Sequence, residues 1–197
     1  MRVIAGSAGG IRLVVPKCGV RPTMDRVKAA IFSSLANRVI GARVLDLFAG
    51  SGALGIEALS RGATSVLFVE EDRQSIAAIE KNLTTTNLRG RVRREDVFDF
   101  LRRCNFADKF HIIFADPPYE KMRSGEPFTE KLLANEVLPQ LLDPGGIFVL
   151  EKRPGETLPK MKLWRTIRHK TYGATEVLFL STIRNPQAVH PPRRAIE

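Results

Sequence analysis

A glycine-rich run in the first half of the chain constrains the fold more than any other feature. The run Gly50–Gly55 matches the pattern G-x-G-x-x-G. It follows an apolar segment, Val44–Phe48, that predicts a β-strand, and it precedes a segment that predicts a helix up to Ser60. In this context the glycines let the backbone approach a bound nucleoside closely, so the run predicts a cofactor site in an α/β domain.

The segments on either side of this run alternate between strand and helix. Strands are predicted at residues 44–48, 65–70, 91–95, 110–115 and 147–151. Helices are predicted at residues 53–60, 72–87, 97–104 and 128–142. Such alternation produces βαβ units and a parallel sheet with helices on both faces. Residues 163–168 and 176–182 predict an antiparallel hairpin that completes a mostly parallel, Rossmann-like sheet of seven strands.

The first 40 residues predict a small extension that precedes this core. Residues 2–5 and 11–15 are typical of short strands, and the glycine-rich residues 6–10 between them predict a hairpin loop. A helix of about 16 residues follows, with Thr23 as its N-cap and Asp25 in its first turn. The predicted organisation has three parts, namely an N-terminal extension at 1–40, a core domain at 41–183 and a flexible tail at 184–197.

Three acidic residues fall at or near the carboxyl ends of the predicted strands. Asp46 lies just before the glycine run, Glu70 ends the next strand, and Asp96 follows the third strand. Open α/β sheets bind ligands at these strand ends, where an acid such as Glu70 can accept hydrogen bonds from ribose hydroxyls. Two of the acids also have a structural alternative, Asp46 as a loop or capping acid and Asp96 as a helix N-cap.

The negative charge at this edge separates the possible cofactors. The glycine run alone fits a nicotinamide or flavin enzyme equally well, but an acid beside a pyrophosphate would repel it. S-adenosylmethionine carries a positive sulfonium and no phosphate, so the same acids would attract it. The sequence also offers no catalytic His or Lys constellation for a dehydrogenase. We therefore predict S-adenosylmethionine as the cofactor and no metal ion.

The segment after the fourth predicted strand suits a substrate that carries an amine. Asp116-Pro117-Pro118-Tyr119 ends an apolar run abruptly, because proline fixes its own φ and cannot donate a hydrogen bond to a sheet. Asp116 and the Pro117 carbonyl could accept hydrogen bonds from the exocyclic amine of a base, and Tyr119 could stack on its ring. These observations predict Asp116, Pro117 and Tyr119 as catalytic residues, with a rigid structural turn as the alternative.

The charge distribution indicates a polyanionic partner. The formal net charge is +10. Residues 1–43 hold eight basic residues and one acid, residues 152–197 hold ten and three, and residues 44–151 hold 13 and 17. Two basic flanks around an acidic centre are typical of a nucleic-acid-binding protein, with solubility as the alternative explanation.

Composition disfavours several other classes of protein. No run reaches the roughly 18 apolar residues that a membrane span needs. Residues 1–10 lack the apolar centre of a signal peptide, so we expect a cytoplasmic protein that does not associate with membranes, and we expect a monomer. The two cysteines, Cys18 and Cys104, lie far apart without a CxxC pattern or a nearby histidine cluster, which predicts reduced thiols.

These motifs together resemble one known family. The block from Val44 to Ala63, with Phe68-Val69-Glu70 and Asp116-Pro117-Pro118-Tyr119, closely resembles the RsmD family of bacterial 16S ribosomal RNA guanine-N2 methyltransferases. The segment Arg21-Pro22-Thr23-x-Asp25-Arg26-Val27 also looks like that family, and the likeness covers most of residues 1–182. One departure is visible after Val27, where the chain has Lys28-Ala29 in place of an expected Arg-Glu pair.

The resemblance implies a fold, an activity and a set of site residues. It implies a Rossmann-like S-adenosylmethionine-dependent methyltransferase fold that methylates the N2 amine of a guanine in 16S rRNA during small-subunit assembly. The implied cofactor contacts are Asp46, Phe48, Ala49, Gly50, Gly52, Glu70, Asp96 and Val97. The expected RNA contacts are Arg12, Arg21, Thr23, Arg26, Lys28 and Lys170, with the segment Lys152–Lys170 also expected to bind phosphates.

Two other functions stay open on the sequence alone. Adenine-N6 methylation of DNA also suits the segment 116–119, although 197 residues leave no room for a separate target-recognition domain. A non-catalytic RNA-binding protein of ribosome assembly would keep the same fold, but it would not need Asp116 and Tyr119. The choice of guanine over adenine therefore rests on the family resemblance.

Overall fold

The computed structural model describes residues 1–16, 25–104, 109–118 and 127–183. The helices are α1 (Asp25–Leu35), α2 (Ala53–Ser60), α3 (Arg73–Thr86), α4 (Val97–Arg103), α5 (Phe128–Ala134) and α6 (Leu138–Leu141), and a 3-10 turn (Ala36–Val39) extends α1. The strands are β1 (Arg43–Leu47), β2 (Ser65–Glu70), β3 (Arg91–Arg94), β4 (Phe110–Ala115), β5 (Leu142–Lys152), β6 (Trp164–Tyr172) and β7 (Thr175–Thr182).

The described strands form one seven-stranded sheet in the order β3-β2-β1-β4-β5-β7-β6. Strands β1 to β5 pair in parallel, whereas β7 is antiparallel to both β5 and β6. The chain runs outward from β1 to β3 and then returns to the other side of β1 with β4. Ligands of open α/β sheets bind where the strand order reverses in this way, at the carboxyl ends of β1 and β4. The predicted fold class is confirmed.

Two apolar cores cover the two faces of the sheet. One core joins the N-terminal residues, α1, α2 and α3 to one face, with Ile31, Ile56 and Ile79 among its members. The other joins α4, α5 and α6 to the opposite face, with Phe98 and Leu132 among its members. Parallel strands covered on both faces are apolar along their length, which explains the continuous apolar runs in the sequence.

The structure corrects one predicted helix and the start of one predicted strand. The helix expected at 128–142 is two helices, because Asn135 leaves the helical conformation and its Oδ1 accepts the N–H groups of Val137 (3.0 Å) and Leu138 (2.9 Å). Residues 143–146 form an irregularity inside β5, where the pairing with β4 shifts register. The fifth strand therefore begins at Leu142 rather than at Ile147.

The N-terminal hairpin is smaller than predicted. A single bridge joins Arg2 and Arg12, and the N–H of Val3 donates to the Ile11 carbonyl at 2.9 Å. The predicted N-cap Thr23, Cys18 and the predicted tail at 184–197 lie outside the described residues. Within the described ranges, no helix is both long and apolar enough to cross a membrane.

Candidate active site

The glycine loop connects β1 to α2 through a backbone that few side chains tolerate. Phe48, Gly50 and Gly52 all have positive φ, at 55°, 54° and 75°. A Cβ on Gly55 would lie 2.2 Å from a ring carbon of Phe68, which belongs to β2. The glycines therefore allow a left-handed turn and let α2 pack directly on the sheet.

Buried polar side chains hold this loop in place. Gly50 donates its N–H to Glu70 Oε2 at 2.8 Å, and Gly55 donates its N–H to Asp46 Oδ2 at 2.9 Å. Asn82 on α3 donates from Nδ2 to the carbonyl of Ser51 at 2.9 Å. The loop conformation is thus fixed from three directions before any ligand binds.

The acids at the strand ends influence one another electrostatically. Asp46 is 2% exposed, and burial raises its pKa to about 8. The N–H of Gly55 opposes this shift, whereas the negative charges of Asp116 and Glu70 add to it. The predicted acids of β1, β2 and the β4 loop therefore meet at one edge of the sheet, as the strand order requires.

The acids at this edge fit S-adenosylmethionine chemically. Glu70 accepts the N–H groups of Gly50 and Asp72, at 2.8 and 2.9 Å, with one oxygen each. Each carboxylate oxygen can accept two hydrogen bonds, so Glu70 keeps capacity for two ribose hydroxyls. The carboxylates of Glu70 and Asp116 at this edge favour a sulfonium and disfavour a pyrophosphate.

Asp96 has the structural role that the sequence allowed as an alternative, that of a helix N-cap. It caps α4, and its Oδ1 accepts the N–H groups of Phe98 and Asp99, each at 2.9 Å. Asp96 is half-buried, and Val97 beside it is 3% exposed. The capping bonds use one carboxylate oxygen, which is compatible with the expected position of Asp96 beside the adenine of a cofactor.

The predicted substrate side of this edge is the rim formed by residues 116–118, which follow β4. Ala115 pairs with Leu47 of β1 and with Leu150 of β5, so the chain beyond it leaves the sheet between the glycine loop and the end of β5. Asp116 is half-buried and Pro117 is buried. The predicted stacking residue Tyr119 lies outside the described residues.

A cavity of about 260 Å³ opens beside this rim. Its walls are formed by the rim, by the start of α5 and by the loop after β5, namely Pro117, Pro118, Pro127, Phe128, Thr129, Lys152, Arg153, Pro154, Gly155 and Glu156. Phe128 packs edge-on against Phe48, with ring centroids 5.6 Å apart. Because Phe48 belongs to the glycine loop, this contact places the cavity next to the predicted cofactor site.

Lys152 anchors the far wall of this cavity. Its ammonium donates to Glu176 Oε2 at 2.7 Å and to the carbonyls of Arg153 and Glu156, each at 3.0 Å. The hydrogen bond from Lys152 holds the pKa of the Glu176 carboxyl below its ordinary value. The Lys152 side chain is only 3% exposed, which removes Lys152 from the segment Lys152–Lys170 that we expected to bind phosphates.

The predicted RNA contacts divide between surface and core. Arg12, Arg26 and Lys170 are exposed. Lys28 is fully buried and lies 3.3 Å from Glu57 Oε2, so the prediction that Lys28 contacts RNA is wrong. The other two, Arg21 and Thr23, lie outside the described residues.

The sequence did not predict two parts of the site. Asn82 is a polar residue on the buried face of a helix, between Ile79 and Leu83, and that exception to the apolar pattern could have identified it. The cavity wall at 152–156 follows β5, and its Pro-Gly pair at 154–155 marks a loop at a strand's carboxyl end. Neither signal reveals its partner, because the contacts join residues far apart in sequence.

Comparisons with known proteins agree with this architecture. A family model described as "Conserved hypothetical protein 95" matches residues 1–181. The chain is 40% identical over 183 residues to the protein YlbH of Bacillus subtilis (strain 168), covering 90% of this chain and 96% of that protein. It is 34% identical over 177 residues to "Ribosomal RNA small subunit methyltransferase D" of Haemophilus influenzae, covering 88% and 89%.

A solved structure shares the whole architecture. The structure of a hypothetical protein from Thermus thermophilus superposes with a TM-score of 0.77 at 31% identity, covering 92% of this chain and 99% of that one. The family model and the relatives span nearly all of the described elements, including the N-terminal extension. The matching family model and the methyltransferase D of Haemophilus influenzae thus show that the chain belongs to the RsmD family.

Proposed function

We propose that this chain transfers a methyl group from S-adenosylmethionine to the exocyclic N2 amine of a guanine in 16S rRNA. The observation that carries the proposal is Asp116, a half-buried carboxylate at the end of β4, between the glycine loop and the cavity. Relatives named as small-subunit rRNA methyltransferases support rRNA as the class of substrate. The choice of guanine N2 as the acceptor atom is more specific than the names of these relatives.

The proposed chemistry depends on positioning. When bound, S-adenosylmethionine supplies an electrophilic methyl group. Asp116 and the Pro117 carbonyl accept hydrogen bonds from the two amine hydrogens, which fixes the nitrogen and directs its lone pair out of the base plane. Alignment of two reactants in this way can contribute about 7–11 kcal/mol at best. The rigid prolines favour this alignment because they limit motion of the rim.

The proton released from the amine needs an acceptor. As the N–C bond forms, the nitrogen becomes acidic and loses one hydrogen to the carboxylate of Asp116, which passes it to solvent. Asp116 is half-buried, so it can exchange protons with water. The neighbouring Asp46, with a pKa of about 8, is largely protonated at neutral pH and adds little negative charge that would hinder this step.

The substrate must reach a half-buried carboxylate beside a cavity. A base inside a helix is out of reach, so the target guanine is flipped out or already unpaired when it enters. The exposed Arg12, Arg26 and Lys170 would bind phosphates around it. We include an assembling small subunit in the proposal, since it presents single-stranded rRNA that a mature subunit covers.

Transfer of a labelled methyl group tests the proposal directly. The label should enter naked 16S rRNA or partly assembled small subunits, and digestion should yield N2-methylguanosine. Asp116→Ala should lower the transfer rate at least about 100-fold while the dissociation constant for S-adenosylmethionine stays within about twofold, because Asp116 acts on the acceptor.

The same assay has two outcomes that contradict the proposal. Label that enters only DNA, or that appears as N6-methyladenine, would overturn the acceptor assignment. A large loss of cofactor affinity in Asp116→Ala would show that Asp116 belongs to the cofactor site. Glu130→Gln, an exposed acid on α5, is the matched control and should transfer methyl groups at the wild-type rate.

A further inference from the structure

The cavity beside the rim is lined by a carboxylate, Glu156, that the proposed chemistry does not use. Glu156 lines the same cavity as Pro117 and Pro118, on the wall formed by the loop after β5. It is half-buried, and its Oε2 accepts the hydroxyl hydrogen of Thr129 at 3.3 Å. Thr129 itself is 4% exposed. The carboxylate is therefore held by α5 at the wall of this cavity.

The loop that carries Glu156 is fixed by buried charge. The Lys152 ammonium donates to Glu176 and to the carbonyls at both ends of the loop, Arg153 and Glu156. These three hydrogen bonds satisfy all three of its donors. A loop held in this way fixes the position of the acid that it carries. Recognition of one edge of a base requires such a fixed position.

The edges of the two purines differ where a carboxylate would meet them. Guanine presents an N1–H donor beside its N2 amine, whereas the N1 of adenine is an acceptor. With the N2 amine bound at Asp116 and Pro117, the neighbouring N1–H would face the cavity that Glu156 and Pro117 both line. A carboxylate only accepts hydrogen bonds, so it would bind guanine N1–H and repel the N1 lone pair of adenine.

We propose that Glu156 is the residue that selects guanine, by accepting the N1–H hydrogen bond of the flipped base. This inference rests on the proposed function, since it assumes that a base amine is bound at Asp116. It answers the question that Asp116-Pro117-Pro118-Tyr119 leaves open, because that segment alone accepts adenine as well. Thr129 and Lys152 are positioning residues that orient Glu156.

The test changes the hydrogen-bonding groups at N1 and C6 of the base. 2,6-Diaminopurine keeps the amine at C2, but it has an acceptor at N1 and an amine in place of the C6 carbonyl. Small-subunit rRNA is ligated with guanine or 2,6-diaminopurine at the nucleotide that carries the label in the transfer assay. The wild-type protein should prefer guanine by roughly 10- to 100-fold in kcat/KM, because the wrong base leaves two acceptors facing each other.

Glu156→Gln should reduce that preference to about threefold or less. The Gln amide can donate to the N1 acceptor of 2,6-diaminopurine as well as accept from guanine, so it no longer separates the two. Thr129→Val should reduce the preference in the same direction, since it releases the carboxylate. Glu130→Gln makes the same chemical change on the exposed face of α5 and should keep the wild-type preference.

The outcomes distinguish this inference from the proposed function. If wild-type protein methylates guanine and Glu156→Gln keeps the full preference, Glu156 does not select the base, while the proposed function stands. If Glu156→Gln slows both substrates equally, the residue has a structural role and the inference is overturned. If wild-type protein does not methylate guanine in any RNA, the proposed function itself fails.

Discussion

At the scale of single residues, Asp46 is the most unusual group in the site. It is buried beneath the glycine loop, accepts the Gly55 N–H at 2.9 Å, and has a pKa of about 8 against an ordinary 3.8. The Asp46 carboxyl therefore binds a proton more tightly in the folded protein than in the unfolded chain. Its contribution to the free energy of unfolding is greatest below pH 4 and is lost as the pH rises towards 8.

Asp46→Asn should remove this pH dependence. The Asn amide oxygen can still accept the Gly55 N–H, so the change removes the titrating group and keeps the hydrogen bond. Between pH 5 and pH 8 the wild-type free energy of unfolding should fall relative to the variant by about 1.4 kcal/mol per pH unit. Urea denaturation at four pH values measures this difference. Parallel pH profiles for the two proteins would show that Asp46 is ionised in the folded state.

At the scale of elements, the N-terminal extension is fastened to α2 by a buried polar network. Glu57 of α2 accepts the N–H groups of Ile4 and Ala5, at 2.7 and 3.1 Å, and also pairs with Lys28 of α1. The backbone at Gly6 comes so close to Ser60 that a Cβ would lie 1.8 Å from the Ser60 carbonyl oxygen. Because α2 also follows the glycine loop, the extension and the predicted cofactor site share one helix.

The pair of Lys28 and Glu57 should show strong energetic coupling. Both side chains are fully buried, and burial lowers the pKa of Lys28. Glu57→Gln should destabilise the protein by about 3–5 kcal/mol, since it leaves the Lys28 ammonium buried without a counter-charge. Lys28→Met should cost less, because Arg61 Nε still pairs with Glu57 Oε1 at 2.7 Å. The double variant should cost clearly less than the two single costs together, as measured by urea denaturation.

A matched control separates charge pairing from the loss of a lysine. Lys81 is exposed on α3, and Lys81→Met should change the free energy of unfolding by no more than about 0.5 kcal/mol. If the costs of Lys28→Met and Glu57→Gln simply add in the double variant, the two groups do not stabilise the fold as a pair.

At the scale of the whole molecule, the surface carries the excess of positive charge that the sequence indicated. Arg12 and Arg26 lie on the N-terminal extension, Lys170 lies on β6, and all three are exposed. The buried Lys28 and Lys152 are neutralised by acids, Lys28 by the buried Glu57 and Lys152 by the half-buried Glu176. The net charge of +10 therefore overstates the number of basic side chains that an RNA can reach.

RNA binding should weaken steeply with salt, and exposed arginines should determine the slope. Each phosphate contact contributes about 0.7–0.9 to the slope of log K against log salt concentration. Arg26→Gln should lower the slope by about one such unit for 16S rRNA fragments, as measured by filter binding. Arg102→Gln is the control, because Arg102 is ion-paired with Asp99 in the acidic centre of the chain. A slope that does not change in Arg26→Gln would remove Arg26 from the RNA surface.

Local patterns in the sequence predicted the sheet well and the side-chain partners poorly. Strands such as 65–70 and 110–115 were predicted with the bounds that they have, because glycine, proline and charged residues mark their ends. The position of Asp116 at a sheet edge followed from chain order alone. Lys28 was misassigned since its burial depends on Glu57, 29 residues further on, and no local pattern records that contact.

The two outer strands of the sheet share one property. β3 and β6 each have an edge without a neighbouring strand among the described residues, and β6 is nine residues long. Exposed edges of this kind invite pairing with another chain, which leads to aggregation. Both edges carry exposed cations, Arg91, Arg93 and Arg94 on β3 and Arg165, Arg168 and Lys170 on β6. A second copy that extended the sheet would bring like charges within about 5 Å of each other. The same cations that favour a polyanion would therefore disfavour polymerisation through the edges of the sheet.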